Sequence, residues 1–218
     1  MKQENRKKWL LILYVGVYFA IHILYAKVFC KVLEMPMMVS VVIQLTSYLI
    51  LGAGGIWLFR KELAEGLKAW REQLWKCFLW FAGAYVGDMV LMTVFSLPLG
   101  IFFPEYVASN ENNVALLVGR VPGILLFLIL GVMGPITEEV IFRLLPMRWG
   151  VPAILVMALC FGLIHVHAFT VQELLFNLPH VATGLVYGFV LYKSRNATIP
   201  VGLHVLNNSM ALLGILLG

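Results

Sequence analysis

The chain has a single aspartate, Asp88, and three cysteines, Cys30, Cys77 and Cys160. One aspartate cannot supply the paired carboxylates of an aspartic protease. The cysteines form no C-x-x-C pair and fall at different expected depths, so neither a disulfide framework nor a thiolate zinc site is indicated and they read as apolar filler. There is no H-E-x-x-H and no G-x-S-x-G, so the usual zincin helix and the serine nucleophile elbow are absent. Internal repeats, low-complexity tracts and a soluble domain are missing as well. What fills the chain instead is apolar: 61% of its 218 residues are hydrophobic and the mean hydropathy is +0.92. A soluble domain holds about 45 to 50%. The fold class expected is an all-α polytopic membrane protein of about seven transmembrane helices, with a water-filled intramembrane cavity formed by the last four.

Seven apolar stretches are long enough to cross a hydrocarbon core of about 30 Å. They run from Trp9 to Phe29, Pro36 to Phe59, Cys77 to Phe103, Val121 to Leu145, Val151 to Phe169, Leu174 to Tyr192 and Ile199 to Leu217. The first follows a charged start but carries no small-residue cleavage site, which fits a retained anchor. The net charge of +5 sits in short clusters between spans, not on one amphipathic face, so no nucleic-acid partner is expected. With the N-terminus inside, 13 basic residues fall on the inner side against Lys27, Lys31 and Arg120 outside, which predicts a cytoplasmic N-terminus and an outer C-terminus. Residues 60–76, RKELAEGLKAWREQLWK, place Leu63, Leu67, Trp70 and Leu74 at helical spacing, an interfacial amphipathic helix. The outer segment with Glu105 and Glu111 reads as a loop able to cover a cavity mouth. Residues 1–120 therefore read as N-terminal membrane helices and residues 121–218 as the core that carries chemistry.

Within those spans the ionisable residues are His22, Asp88, Glu138, Glu139, Arg143, His165, His167, His180 and His204. A charge near the bilayer centre costs on the order of 2.5 to 3.5 kcal/mol on insertion scales, so the stretch GPITEEVIFR, Gly134 to Arg143, marks a functional site. Glu139 and Arg143 stand at i and i+4, the spacing of a helical ion pair, while Glu138 points about a quarter-turn away and stays available. Gly134 and Pro135 predict a helix break just before the carboxylates, whose charge the new helix N-terminus would favour. Phe161 and His165 share one face, as do His204 and Asn208, with Asn207 rotated aside. A lone buried histidine is usually structural, and His22, His167 and His180 are read so. Two spans with paired His signals beside a Glu-Glu span point to water activation. Asp88 either lines a cavity or holds a histidine, or else accepts from a nearby Tyr or Thr.

These residues carry a resemblance. EEVIFR, FGLIH and HVLNN match, in order, the E-E-x-x-x-R, F-x-x-x-H and H-x-x-x-N motifs of the CAAX prenyl endopeptidase type II and bacteriocin-processing membrane proteases (CPBP, also called Abi). The segment GLVYGFVLYKSRNATIPVGLH is similar too, and the resemblance covers Val121 to Leu217. It implies an intramembrane endopeptidase with Glu138, His165, His204 and Asn208 as catalytic residues and Glu139, Arg143 and Phe161 in support. Family members are described both as metal-dependent and as metal-free. In the first version Glu138, His165 and His204 approach zinc or another divalent metal, which lowers the pKa of a bound water to about 7. In the second, Glu138 and His165 deprotonate water while His204 and Asn208 donate to the oxyanion.

The implied partners are the lipid bilayer and a peptide or membrane-protein substrate, with a prenylated CAAX-like tail among the options. The small size resembles bacterial members, which implies a bacterial cell membrane. Two other classes compete: a proton- or cation-coupled transporter, which predicts paired broken helices in repeated halves, and a non-catalytic immunity or scaffold protein. One depth problem accompanies the shared site. At about 1.5 Å per residue, His165 lies roughly 21 Å along its span, whereas Glu138 and His204 lie about 10 Å from the inner ends of theirs.

Overall fold

The computed structural model describes residues 2–22, 24 and 36–217. Regular structure among them is helical, without a strand. Five helices are long and apolar enough to cross a membrane: Met38–Leu58, Leu74–Phe102, Gly123–Leu144, Val171–Ser194 and Thr198–Leu217. Two shorter apolar helices, Trp9–His22 and Val151–Ile164, accompany them. The chain is thus an all-α multi-pass membrane protein, and the seven expected stretches appear as five full spans and two shorter helices. The end of the first stretch, with Lys27, and the residues Cys30 and Lys31 that follow it lie outside the described residues.

In chain order the helices are α1 (Lys2–Tyr18), α2 (Met37–Leu58), α3 (Arg60–Glu72), α4 (Leu74–Phe102), α5 (Ser109–Ala115) and α6 (Gly123–Leu144). After them come α7 (Val151–Ile164), α8 (Val171–Phe176), α9 (Leu178–Ser194) and α10 (Thr198–Leu217). Helix α6 packs between α2 and α10, and α9 packs against both α7 and α4. The amphipathic helix ends at Glu72, four residues earlier than its sequence pattern, because Gln73 leaves helical geometry at φ −135°. It is pinned to the turn before α10: Asn196 Nδ2 donates to Gly66 O at 3.2 Å and Trp70 Nε1 to Thr198 Oγ1 at 3.0 Å.

Helix α6 corrects the expected break. Its backbone stays helical through Met133 (φ −73°, ψ −35°) and Gly134 (φ −58°, ψ −59°). The hydrogen-bond ladder instead widens to π-helical turns over Phe127–Met133 and Val140–Leu144. Pro135 has no N–H, so it orphans Leu130 O in a π register or Gly131 O in an α register. Both carbonyls are met from α10, where Asn208 Nδ2 donates to Leu130 O at 3.3 Å and Ser209 Oγ to Gly131 O at 3.4 Å. The proline gap therefore becomes a docking point between helices, and the carboxylates sit mid-helix, without help from a helix terminus.

Helix α7 is only 14 residues long and stops at Ile164, with His165 as its C-cap. The imidazole closes its own helix, Nδ1 lying 2.8 Å from Phe161 O. Close approach to α9 depends on small residues: a Cβ at Gly184 would stand 2.8 Å from Ala158 Cα. Gly184 and Gly188 are spaced four apart, the pattern by which membrane helices bring backbones together. Gly184→Ala should force α7 and α9 apart and cost about 1–3 kcal/mol, the usual range for overpacking; thermal unfolding of the purified protein in lipid measures it.

Candidate active site

Three helices carry the polar centre. Glu138, Glu139 and Arg143 come from α6, His165 and Phe161 from the end of α7, and His204 from α10. Glu139 is fully buried and Glu138 and His204 are 6% and 4% exposed, so the site is packed rather than the open, water-filled cavity expected among the last four spans. A groove of about 300 Å³ does exist, but it lies between α1 and α2, lined by Val17, Ile21, Val42, Thr46, Ser47 and Leu51 among others.

Glu139 Oε1 is the hub. Arg143 Nη1 lies 3.0 Å from it and His204 Nδ1 2.8 Å. The ion pair expected from the i, i+4 spacing is present and tied to a third group. The guanidinium also lies over the Phe161 ring, with Cζ 4.0 Å from its centroid, a cation–π contact worth up to about 2 kcal/mol when desolvated. A cavity of about 20 Å³ lined by Arg143, Phe142 and Gly184 adjoins it. That is room for one water, which suits the second guanidinium nitrogen, left without a protein acceptor.

Proton positions follow from the acceptors. A carbonyl oxygen only accepts, so His165 Nδ1 carries the hydrogen toward Phe161 O; an ionised Glu139 likewise draws the hydrogen of His204 to Nδ1. In both neutral rings Nε2 then holds the lone pair. His204 Nε2 faces Glu138 Oε2 across 3.7 Å, and Oε2 has no hydrogen-bond partner among protein atoms. The two atoms are buried against each other, so a proton on either one makes a direct acid–imidazole pair.

The Phe161 ring meets both imidazoles edge-on, His165 at 4.9 Å and His204 at 5.5 Å. Asn208, by contrast, spends one amide hydrogen on Leu130 O. Among the described residues no three His, Cys, Asp or Glu side chains gather in an arrangement that would hold a metal ion. The Glu138, His165 and His204 trio expected to approach zinc does not take ligand geometry, and no step below passes through a metal.

Several residues near the site were read as structural or overlooked. His180 stacks on His165 at 4.1 Å with its Nδ1 buried and unpartnered. Asp88, fully buried on α4, accepts from Thr183 Oγ1 at 2.7 Å, Tyr187 Oη at 3.1 Å and Asn207 Nδ2 at 2.7 Å. Of its two readings, the Tyr and Thr partnership is the one present. The carboxylate also ties α4 to α9 and α10 behind His204, whose ring lies 5.8 Å from that of Tyr187.

Glu173 was not among the ionisable residues assigned to spans, since it falls between the fifth stretch and the sixth. It is fully buried and accepts from Tyr106 Oη at 2.6 Å, Ser109 Oγ at 3.1 Å and the backbone of Ser109 and His167. The signal was there: Thr170 caps α8 by accepting from Glu173 N, a T-x-x-E capping box. Binding to that carboxylate raises the Tyr106 hydroxyl above its ordinary pKa. The outer segment, expected to be a loop, contains α5 and is latched here beside the chain that follows His165.

Residues 120–210 match the family model described as Rce1-like, type II CAAX prenyl endopeptidase. That stretch, the Rce1-like segment, is similar to the family over less than half of the chain, and it includes all three motifs, from Glu138 to Asn208. No curated protein and no solved structure matches the chain. The Rce1-like segment leaves out α1 to α5, and with them Asp88, Tyr106 and Tyr48, whose hydroxyl lies 3.4 Å from Glu138 Oε1.

Arg143→Ala should destabilise the fold by about 3–5 kcal/mol, because it strands a buried carboxylate. The double variant Arg143→Ala/Glu139→Ala should lose less than Arg143→Ala alone, as judged by thermal unfolding.

Proposed function

We propose that the protein is an intramembrane endopeptidase that hydrolyses a peptide bond of a membrane-associated or lipid-modified, CAAX-like substrate. The observation that carries the reading is the buried acid and imidazole that face each other, Glu138 Oε2 and His204 Nε2 at 3.7 Å. The family match of residues 120–210 supports the reaction class.

Glu138 Oε2 takes a proton from a water admitted with the substrate, and His165 Nε2 accepts the water's second hydrogen and aims its oxygen. Attack on the scissile carbonyl carbon forms the C–O bond and moves the π electrons onto the carbonyl oxygen. His204 enters the step with a second proton taken from bulk water and keeps it throughout, so that Nε2–H meets that oxyanion while Glu139 holds Nδ1–H and balances the added charge, as the carboxylate does behind a triad histidine. The remaining amide hydrogen of Asn208 is the second donor; one such donor is typically worth about 3–4 kcal/mol. Glu138 then returns its proton to the leaving amine as the C–N bond breaks. The excess of basic residues in alternate connecting segments supports a cytoplasmic N-terminus and an outer C-terminus.

Peptides released from membranes containing wild-type protein should vanish with Glu138→Gln, with at least about a hundredfold loss of rate for removal of a general base. Identical peptide profiles for the two would contradict the proposal and favour a scaffold. Cleavage should survive a chelator and gain nothing from added zinc; abolition by the chelator with rescue by zinc would replace the mechanism written here with a metal-dependent one.

A further inference from the structure

The first two helices lie outside the Rce1-like segment, yet one of them touches the carboxylate at its centre. Tyr48, on α2, directs its hydroxyl to Glu138 Oε1 at 3.4 Å. An ionised carboxylate only accepts, so the phenol donates. The Tyr48 ring is held on two sides. It lies over Gly134, where an added Cβ would already touch it at 3.7 Å. The His22 ring covers it from α1's side at 4.1 Å and a 36° tilt.

His22 is itself fixed. The Ser47 hydroxyl donates to Gln44 O at 2.7 Å, which leaves Ser47 Oγ to accept from His22 Nε2 at 3.0 Å. Tyr18 packs on the other side of His22 at 5.0 Å and meets Phe142 of α6 edge-on at 6.1 Å. His22, Ser47 and Tyr18 thus stop the phenol from swinging away, although none of them touches Glu138.

The consequence falls on the carboxylate. The terminal torsion of a glutamate is broad, so packing alone does not fix the plane of its carboxylate. A donor on one oxygen does fix it: with Tyr48 on Oε1, Oε2, which has no protein hydrogen-bond partner, is held toward His204 Nε2. We propose that Tyr48 is a positioning residue for Glu138, supplied by the part of the chain outside the Rce1-like segment. Its kinetic consequence rests on the peptidase reading; the contact itself does not.

Tyr48→Phe keeps the ring against Gly134 and His22 and removes only the hydroxyl, whereas Tyr48→Leu removes both. Isotope-edited infrared spectra of protein with ¹³C-labelled glutamate, in lipid, identify the Glu138 carboxyl band as the one lost in Glu138→Gln. That band should shift in Tyr48→Phe. On an internally quenched peptide with a farnesylated C-a-a-X end, Tyr48→Phe should lower kcat roughly tenfold, the effect of one hydrogen bond to a charged group, with KM changed less than about twofold. An unshifted Glu138 band would overturn the proposal. So would wild-type kcat in Tyr48→Phe with loss only in Tyr48→Leu, the pattern of a packing role. A shifted band in a protein whose wild type leaves the peptide intact would uphold the contact and count against the peptidase reading.

Discussion

A carboxylate stripped of water has to be compensated by its neighbours, and the interior of this protein is arranged around how Glu139 is compensated. Arg143 supplies charge from the same helix and His204 a hydrogen bond from the last one, both on the same oxygen. Neither contact is cheap to lose, because each partner would otherwise be a buried polar group without an equal. The arrangement fixes the rotation of α10 against α6, and with it the direction in which His204 Nε2 points. Phe161 then packs under both the guanidinium and the imidazole, so the end of α7 takes its place from the same pair.

The second constraint is the backbone of α6. Pro135 and the two π-helical stretches around it would leave carbonyls unpaired in an apolar medium, where each costs several kcal/mol. Asn208 and Ser209 fill those positions, so a helix irregularity next to the carboxylates doubles as the seam that holds α10. The N-terminal helices are more than a membrane anchor in this account. Asp88 on α4 braces Tyr187 behind His204, and Tyr48 on α2 reaches Glu138 from the opposite side.

Much of this was legible from residues alone, because burying charge in lipid is so costly that its position announces a site. The Glu139–Arg143 pair followed from i, i+4 spacing, and the Phe161–His165 contact from the same rule on α7. The helical class and the apolar stretches followed from hydropathy. What did not follow depended on three-dimensional partners. Spacing could place Asn208 on the face of His204 but could not show that a proline in another helix would claim its amide. Gly134 and Pro135 read as a break, since local propensity says nothing about a ladder that widens and is repaired from outside. Tyr48 sits in an ordinary apolar span ninety residues away from Glu138, with no local signal to set it apart. Glu173 was passed over because it falls just ahead of the sixth apolar stretch, although the T-x-x-E cap around it was visible.

The central claim is that separate helices converge on one buried acid and imidazole cluster, fixed by the Glu139 to His204 bond. The most direct test is solid-state NMR of the protein in lipid bilayers, with ¹⁵N in histidine and ¹³C in glutamate. The account predicts a through-space correlation between His204 Nδ1 and the Glu139 carboxyl carbon, with Nδ1 in its protonated form. Absence of that correlation, in protein whose helical signals are intact, would contradict it.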